Sequence, residues 1–404
     1  MVGNLISRRR LLASGAVLTS LALYSYQRGL RYPALSFEHN APSSTLSTAQ
    51  LNLTLKDCIA VDDTTLRAIA PEPSVTVQLA KGSSSFKVTN IATNAILEIN
   101  RGHAYKGTVD QQVDGISRQL SIQSAADQSL KLDWTVPVSE GFEFAVMGDT
   151  GGGSELAWTL KRAVELGAQF LIHLGDFNYS DGEYDAAIRL FNDAELPCYV
   201  TIGNHDFHHS GLIYDKFLKQ IGPMNHAFEL AGTRFINVDT AADFWPKQSG
   251  QRGKLFKSLD AATPFIGEQV VFTHRPLKDP RPHDDHEIGG IGEIDWLAKQ
   301  SRQLGVSTIL SGHVHHCAEL DFQGLCQLTI GEGLGHEDLV MQKPVSQIMM
   351  GKVEPGKKLA HRWEHLNMPW TYHLSPTHLV KLQLDQRVKQ LDWYRSMLTA
   401  FADA

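Results

Sequence analysis

The feature that most constrains this sequence is a series of apolar segments that each end in a glycine and a polar residue. The first three are Phe144–Met147 before Gly148-Asp149, Phe170–Leu174 before Gly175-Asp176, and Cys198–Ile202 before Gly203-Asn204-His205-Asp206. Stretches of helical periodicity separate them, and this alternation predicts βαβ units and a parallel or mixed sheet. Ligands of such sheets gather beyond the carboxyl ends of the strands, so these polar residues are predicted to share one site.

Two later segments repeat this arrangement. They are Gln269–Thr273 before His274, and Val306–Leu310 before Gly312-His313-Val314-His315. Helices are predicted from a cap at Ser154 to an end at Gly167, and over about residues 183–195. Five polar motifs therefore follow five predicted strands.

Residues 31–138 show a different pattern, with short runs of alternating apolar and polar residues between Gly, Ser, Asn and Asp clusters. Examples are Leu51–Leu55, Val75–Leu79 and Leu130–Val136. Alternation with a period of two, broken by turn residues, predicts the strands of a small antiparallel domain. We therefore expect a β-sandwich-like accessory domain over residues 31–138, followed by a second domain over residues 139–404 that carries the motifs.

Residues 1–30 are typical of an export signal. Ser7-Arg8-Arg9-Arg10 supplies positive charge, and a mostly apolar run from Leu11 to about Tyr26 follows. That run is shorter than the roughly 20 residues of a membrane-spanning helix, and the paired arginines resemble a twin-arginine signal. We expect a periplasmic or secreted protein that uses the twin-arginine export machinery, with a membrane tether if the signal is not cleaved. An N-terminal anchor and a buried helix are the alternatives.

Composition limits the classes of function. The 404 residues are 42% hydrophobic and 20% charged, as in ordinary globular proteins. The net charge is −7 and no long Lys/Arg run follows the first residues, which argues against a nucleic-acid-binding surface. Four cysteines are too few for a disulfide framework. Cys317 and Cys326 flank a predicted turn, and the sequence leaves open whether they are bridged or free.

The strand-end motifs combine carboxylate, phenol, amide and imidazole groups. Their members are Asp149, Asp176, Tyr179, Asn204, His205, His274, His313 and His315. Without a cysteine cluster, this mixture of oxygen and imidazole donors favours zinc, iron or manganese over a thiolate or calcium site. The donors suffice for two ions that share a bridging carboxylate, an arrangement that supports displacement at phosphorus.

In this order, the five motifs resemble those of the calcineurin-like metallophosphoesterase superfamily, over roughly residues 140–335. The resemblance implies a four-layer αββα sandwich, an α/β fold that the small all-β domain would precede. Most members have Asp-x-His in the first motif, whereas this chain has Asp149-Thr150-Gly151. Its second motif, Gly175-Asp176-Phe177-Asn178-Tyr179, matches the Gly-Asp-x-x-Tyr pattern of the purple acid phosphatases, in which the tyrosine replaces that histidine.

The purple acid phosphatase pattern implies a ligand set for two ions. It places Asp149, Tyr179 and His315 on Fe(III), and Asn204, His274 and His313 on a divalent iron, zinc or manganese ion, with Asp176 as the bridge. A phenol with an ordinary pKa of about 10 ionises readily only beside a strongly polarising cation, which agrees with Fe(III). His205 would stabilise the transition state or protonate the leaving oxygen, and Asp206 would orient it.

The resemblance implies a phosphoesterase that hydrolyses phosphate monoesters with a metal-bound hydroxide, and the N-terminal signal predicts that it is exported. A phosphodiesterase acting on nucleotides or envelope phosphodiesters is the alternative among enzymes. A non-catalytic envelope-binding protein on the same fold is the alternative from another class. A di-manganese or zinc site with Tyr179 unligated is a third. His283 and His286 are interpreted as solvated residues, with contact to the phosphate as the alternative, and His173 as a core histidine.

Overall fold

A computed structural model describes residues 44–48, 51–99, 105–138, 140–206, 215–241, 250–262, 264–281, 286–288, 291–334 and 346–368. The predicted export signal lies outside these residues and stays a prediction. None of the helices within these ranges is long and apolar enough to cross a membrane.

The first ten strands of the described residues form two five-stranded sheets. One has the order β1 (Thr45–Ser47), β2 (Asn52–Lys56), β5 (Ser74–Leu79), β10 (Gln128–Thr135), β7 (Ile96–Ile99), and the other has the order β3 (Cys58–Ala60), β4 (Thr65–Ala68), β6 (Gly82–Thr89), β9 (Ser117–Ser124), β8 (Gly107–Asp114). Apolar residues of both sheets, among them Leu53, Phe86 and Trp134, share one core. We call these two sheets the N-terminal sandwich. The domain boundary at residue 138 stays a prediction.

Two further sheets follow in the chain. The third sheet has the order β13 (Cys198–Val200), β12 (Leu171–His173), β11 (Phe142–Met147), β20 (Gln347–Val353), β21 (Ala360–His365). The fourth has the order β14 (His226–Leu230), β15 (Thr233–Val238), β16 (Glu268–Thr273), β17 (Thr308–Ser311), β19 (Leu325–Ile330), β18 (Cys317–Phe322). Both sheets are mixed. In the third sheet β11, β12 and β13 are parallel and β20 pairs antiparallel with β11, and in the fourth sheet parallel strands lie between antiparallel edge strands.

Helices cover the outer faces of the third and fourth sheets. Within the described ranges they are α1 (Ser154–Glu165), α2 (Glu183–Asn192), α3 (Asp215–Gln220), α4 (Gln251–Ala261) and α5 (Ile291–Leu304). Buried residues of α1 and α2 share a core with the third sheet, and those of α4 and α5 share one with the fourth. The predicted cap at Ser154 was wrong. Ser154 is the first helical residue after Gly153, and its hydroxyl bonds to the Glu155 carboxylate instead of a backbone N–H.

The central strands are buried on both faces. On β16, Val270 and Phe272 belong to the core between the two sheets, whereas Val271 belongs to the core under α4 and α5. Phe144 of β11 meets Phe235 of β15 edge to face, with ring centroids 5.3 Å apart. Burial of both faces explains the continuous apolar runs of these parallel strands. The predicted four-layer αββα sandwich with an all-β region before it is confirmed.

The third and fourth sheets meet where their parallel strands end. Gly148, directly after β11, donates its N–H to the carbonyl of Ile330 at the end of β19 (3.0 Å), and Gly333 donates back to the Gly148 carbonyl (3.1 Å). A Cβ added to Gly148 would lie 3.2 Å from the carbonyl oxygen of Ile330, which is tighter than an ordinary contact. Glycine therefore permits this close approach, and polar motifs from both sheets are brought together.

The N-terminal sandwich supports the edge strand β13. The side chain of Asn90 accepts the N–H of Cys198 (2.8 Å) and donates to its carbonyl (3.1 Å), much as a neighbouring strand would. The guanidinium of buried Arg67 donates to the same carbonyl (3.3 Å) and to Asn192 (2.8 Å). Because β13 leads directly into the third motif, the sandwich helps to position that motif.

Replacing Asn90 should destabilise the protein, because the buried N–H of Cys198 loses its acceptor. We expect Asn90→Gly to lower the free energy of unfolding by about 1–3 kcal/mol. Asn90→Ala should lower it further, because residue 90 has a φ of +63°. Urea unfolding measures both variants. Ser83→Ala removes an exposed hydrogen bond to Gln123 and is the control, with an expected change below about 0.5 kcal/mol. Wild-type stability of Asn90→Gly would show that β13 does not need this contact.

Candidate metal centre

Three residues of the predicted site have a left-handed backbone just after their strands. Asp149, Asp176 and His313 have φ of +61°, +58° and +66°. This conformation costs about 1–3 kcal/mol for a non-glycine residue and persists where the surroundings hold it. Here the N–H of Asp149 donates to the carbonyl of Gly175 (2.9 Å), and the N–H of Asp176 donates to the Asp206 carboxylate (2.9 Å). The chain therefore turns sharply at the point where each strand ends.

The first donor group consists of Asp149, Tyr179 and His315, together with Asp176. The phenol oxygen of Tyr179 lies 3.5 Å from Asp149 Oδ1, 3.4 Å from Asp176 Oδ2 and 3.2 Å from His315 Nε2. His315 Nε2 lies 3.7 Å from Asp149 Oδ1. The other oxygen of Asp149 accepts the N–H of His313 at 2.9 Å, which orients the carboxylate.

The second donor group consists of Asn204, His274 and His313, again with Asp176. His274 Nε2 lies 2.9 Å from Asn204 Oδ1, 3.2 Å from His313 Nδ1 and 3.4 Å from Asp176 Oδ2. The Nδ1 of His274 donates to the carbonyl of Leu174 at 2.7 Å, so its Nε2 is directed into the group. Metal-binding histidines are usually oriented in this way by their other nitrogen. One donor atom each of Asp176, His274 and His313 lies within 4.8 Å of the others.

Asp176 belongs to both groups through a single atom. Its Oδ2 lies 3.4 Å from the Tyr179 phenol oxygen and 3.4 Å from His274 Nε2. Its Oδ1 accepts the N–H of His205 at 2.8 Å, and the residue is only 2% exposed. A carboxylate oxygen shared by two donor groups is suited to bridge two cations. The structure thus brings together all of the residues that were predicted to bind metal.

Burial and mutual contact shift the pKa values of these groups. Burial, together with the charge of Asp176, raises the pKa of Asp149 to about 7. Burial and the two carboxylates raise the pKa of Tyr179 well above its usual value. Burial disfavours protonated His274, but Asp176 outweighs burial and raises the pKa of His274 to about 9. The donor set fits cations: carboxylate and phenol for a hard ion, imidazole and amide for a divalent one.

Cation binding should release protons and strengthen as the pH rises. At pH 7 the raised pKa values of His274 and Tyr179 keep both groups protonated, and the cation that each donor group binds must displace one proton. We expect the apparent Zn(II) affinity to rise by up to about tenfold per pH unit between about pH 6 and pH 8. Calorimetry in buffers of different ionisation enthalpy counts the protons released. His361→Ala, on β21 beside Glu319, should behave as wild type, and an affinity independent of pH would contradict the expectation.

His205 and Asp206 take different positions. His205 is exposed, and its ring lies against the ring of Tyr179, with centroids 4.6 Å apart. Asp206 is buried, and its carboxylate accepts three backbone N–H groups of the second and third motifs at 2.7–2.9 Å. These bonds tie the two motif loops together. The predicted role of Asp206 in orienting the His205 ring was wrong, because its oxygens are directed to the backbone.

Two cationic or titratable side chains lie beside the second donor group. Arg275, directly after His274, donates from Nη1 to His313 Nε2 at 2.9 Å. Its position after a strand-end histidine was a usable signal that the sequence analysis missed. The ring of His286 lies 5.9 Å from that of His313, and its backbone N–H donates to Asp279 (3.1 Å). His286 is exposed, as interpreted, yet it borders the site. His283 lies outside the described residues.

His173 is a core histidine, as interpreted from the sequence. Its Nδ1 accepts the N–H of Gly175 (3.2 Å), which leaves Nε2 to donate to the hydroxyl of Thr150 (2.9 Å). The ring is fully buried and links the loops of the first and second motifs without joining either donor group.

Cys317 and Cys326 are both free. They lie on the paired strands β18 and β19, but Cys317 is opposite Ile330 and Cys326 is opposite Asp321. This register keeps the two thiols apart, which settles a point that the sequence left open.

The part of the chain that contains the two donor groups is similar to known proteins. Residues 142–317 match the family model described as calcineurin-like phosphoesterase, which confirms the resemblance seen in the motifs. Over 276 residues the chain is 24% identical to purple acid phosphatase 22 of Arabidopsis thaliana, a match that covers 58% of this chain and 62% of that protein. The chain thus matches less than two thirds of that relative's length.

Similar solved structures include two phosphatases. A purple acid phosphatase from yellow lupin (Lupinus luteus) seeds is 13% identical, with a TM-score of 0.46 over 81% of this chain and 72% of that chain. A dimetal phosphatase from Danio rerio is 12% identical, with a TM-score of 0.38 over 55% of this chain and 99% of that chain.

Proposed function

We propose that this protein, whose residues 142–317 match the calcineurin-like phosphoesterase family model, hydrolyses phosphate monoesters at a dinuclear centre of the purple acid phosphatase type. The observation that carries the proposal is the Oδ2 of Asp176, which lies 3.4 Å from a donor atom of each group. In this proposal the first donor group would hold Fe(III), and the second would hold a divalent iron, zinc or manganese ion. When bound, two such cations would attract a phosphate ester and lower the pKa of an attacking water.

The charge balance of the proposed centre favours an anionic substrate. Asp149, Asp176 and Tyr179 as phenolate contribute three negative charges, so a trivalent and a divalent cation would leave a net charge of about +2. The guanidinium of Arg275 adds a further positive charge beside His313. The local field would therefore favour a phosphate ester although the whole chain carries −7.

His205 is the group best placed to handle the proton of the leaving oxygen. Its backbone is held by the N–H bond to Asp176 Oδ1 (2.8 Å), whereas its ring is exposed beside Tyr179. An imidazole that is fixed at its backbone and accessible at its ring can reach a bound ester and act as a general acid.

Neutralising the shared carboxylate of Asp176 should remove most of the activity. We expect Asp176→Asn to lower kcat/KM for p-nitrophenyl phosphate by about 10³-fold, because a neutral amide cannot bridge two cations. The assay uses the full-length chain loaded with Fe(III) and Zn(II), and dialysis against EDTA should remove turnover that added metal restores. Asp193→Asn, at an exposed carboxylate after α2, is the control and should retain wild-type activity.

The same assay separates the alternative functions. Faster turnover of bis(p-nitrophenyl) phosphate than of the monoester would favour the phosphodiesterase. A metal-loaded wild type that binds phosphate but hydrolyses neither ester would favour the non-catalytic binding protein. Full activity of Asp176→Asn would overturn the dinuclear centre itself.

Tyr179 should distinguish Fe(III) from an all-divalent centre. A phenolate bound to Fe(III) absorbs visible light by charge transfer, so we expect the Fe(III)-loaded wild type to be coloured and Tyr179→Phe to be colourless. Absorption spectra after Fe(III) loading measure this difference. Tyr184→Phe, a buried tyrosine of α2, is the control and should keep the colour. A colourless, active wild type would leave the hydrolase in place and replace the Fe(III) assignment by divalent ions.

A further inference from the structure

The carboxylate of Glu183 lies close to the backbone of Tyr179 and has no part in the proposed reaction. Glu183 is the first residue of α2, and its Oε2 accepts the N–H of Tyr179 (2.6 Å) and the N–H of Ser180 (3.1 Å). Its own N–H donates to the carbonyl of Ser180 at 3.2 Å. Bonds from N–H groups to a carboxylate are short and strong because the acceptor is charged. The side chain of Glu183 therefore closes the turn that carries Tyr179.

The loop of the first motif packs against the same residue. A Cβ added to Gly151, whose φ is +61°, would lie 3.4 Å from Glu183 Oε2 and 3.6 Å from Cδ2 of the Tyr179 ring. A Cβ added to Gly152 would lie 2.1 Å from the carbonyl oxygen of Glu183, a distance that no side chain tolerates. Gly152 thus allows the loop after Asp149 to approach Glu183 closely, and the left-handed backbone of Gly151 places that residue beside Glu183 and Tyr179. We call Gly151, Tyr179 and Glu183 the tyrosine unit.

The phenol oxygen of Tyr179 has only long contacts with the donor groups, at 3.2–3.5 Å. By contrast, the backbone of Tyr179 is held by the 2.6 Å bond to Glu183. Any displacement of the backbone is carried over to the phenol oxygen at the end of the side chain. The position of the phenol therefore depends on the tyrosine unit more than on its own contacts.

We propose that Glu183 is a positioning residue that holds the Tyr179 phenol in the first donor group and thereby gives that group its preference for a trivalent cation. The inference rests on the proposed function, in which Tyr179 is a ligand. Without the phenolate, the first donor group keeps one anion of its own, Asp149, beside the shared Asp176. Loss of a hard, charged oxygen donor favours divalent over trivalent ions.

The test compares Fe(III) with Zn(II) binding in the full-length chain. We expect Glu183→Ala to weaken Fe(III) binding about 10–100-fold and to reduce the visible band. His313→Ala identifies the Zn(II) binding that belongs to the second donor group, because this variant should lose it. In Glu183→Ala, the affinity of that site for Zn(II) should change by less than about twofold. Competition with nitrilotriacetate measures the Fe(III) affinity, and a competing indicator measures that of Zn(II).

Two further variants and one control separate positioning from folding. Glu183→Gln keeps an oxygen that accepts both N–H groups and should restore most of the band. Glu183→Asp keeps the charge at the start of α2, but its shorter side chain cannot reach the N–H of Tyr179 equally well, so this variant should lose much of the band. It keeps the inference testable if Glu183→Ala does not fold. Glu155→Ala is the control, because that carboxylate lies in the first turn of α1 and accepts the Ser154 hydroxyl (2.9 Å). It should behave as wild type.

A wild-type band and Fe(III) affinity in Glu183→Ala or Glu183→Asp would overturn the inference. An equal loss of Fe(III) and Zn(II) binding would also overturn it, because that result indicates general structural damage. Tyr179→Phe is measured beside these variants. If its spectrum equals that of the wild type, tyrosine ligation and the proposed Fe(III) centre fail together. If it abolishes the band while the Glu183 variants keep theirs, only the role of Glu183 fails.

Discussion

The buried carboxylate of Asp176 is the constraint on which the rest of the centre depends. It follows β12, which lies between β11 and β13, so the donors of the first and third motifs lie on either side of it. The hydrogen bonds of Gly148 with Ile330 and Gly333 bring the fourth sheet to the same place. His274 and His313 then approach from that sheet, while Tyr179 approaches from the loop after Asp176 itself. Two sheets ending at one position are what allow a single oxygen to contact both donor groups.

Hydrogen bonds around the donors offset part of the cost of burying charge. Buried ionised groups are unfavourable unless they are paired or hydrogen-bonded. Asp206 accepts three backbone N–H groups, and the carbonyl of Leu174 orients His274. Asn90 of the N-terminal sandwich holds the strand that leads to the third motif. The sandwich is therefore bonded to the sheet that carries the site, although the sequence suggested only an accessory role for it.

The identity of the donors could be predicted, because each motif follows an apolar run that predicts a strand and because parallel strands align their carboxyl ends. The contacts of individual side chains could not be predicted from the sequence. Asp206 stands next to His205 in the sequence, yet its carboxylate is directed to backbone N–H groups of two loops. Glu183 carries no motif, and the turn between Tyr179 and α2 brings its carboxylate back to the N–H of Tyr179. Ser154 was expected to cap α1, but the helix begins one residue earlier than a cap requires.

The sequence by itself determined the fold class, the order of the five motifs, and the presence of Tyr179 in the second motif where the first motif has Gly151, because hydrophobic periodicity and residue chemistry are local properties of the chain. Only the tertiary structure decided that Asp176 is shared through one oxygen, that Arg275 lies beside His313 and that Cys317 and Cys326 stay apart. Those outcomes depend on strand register, on left-handed turns at the strand ends and on the meeting of two sheets. Packing sets such distances between remote residues, and the spacing of those residues along the chain does not reveal them.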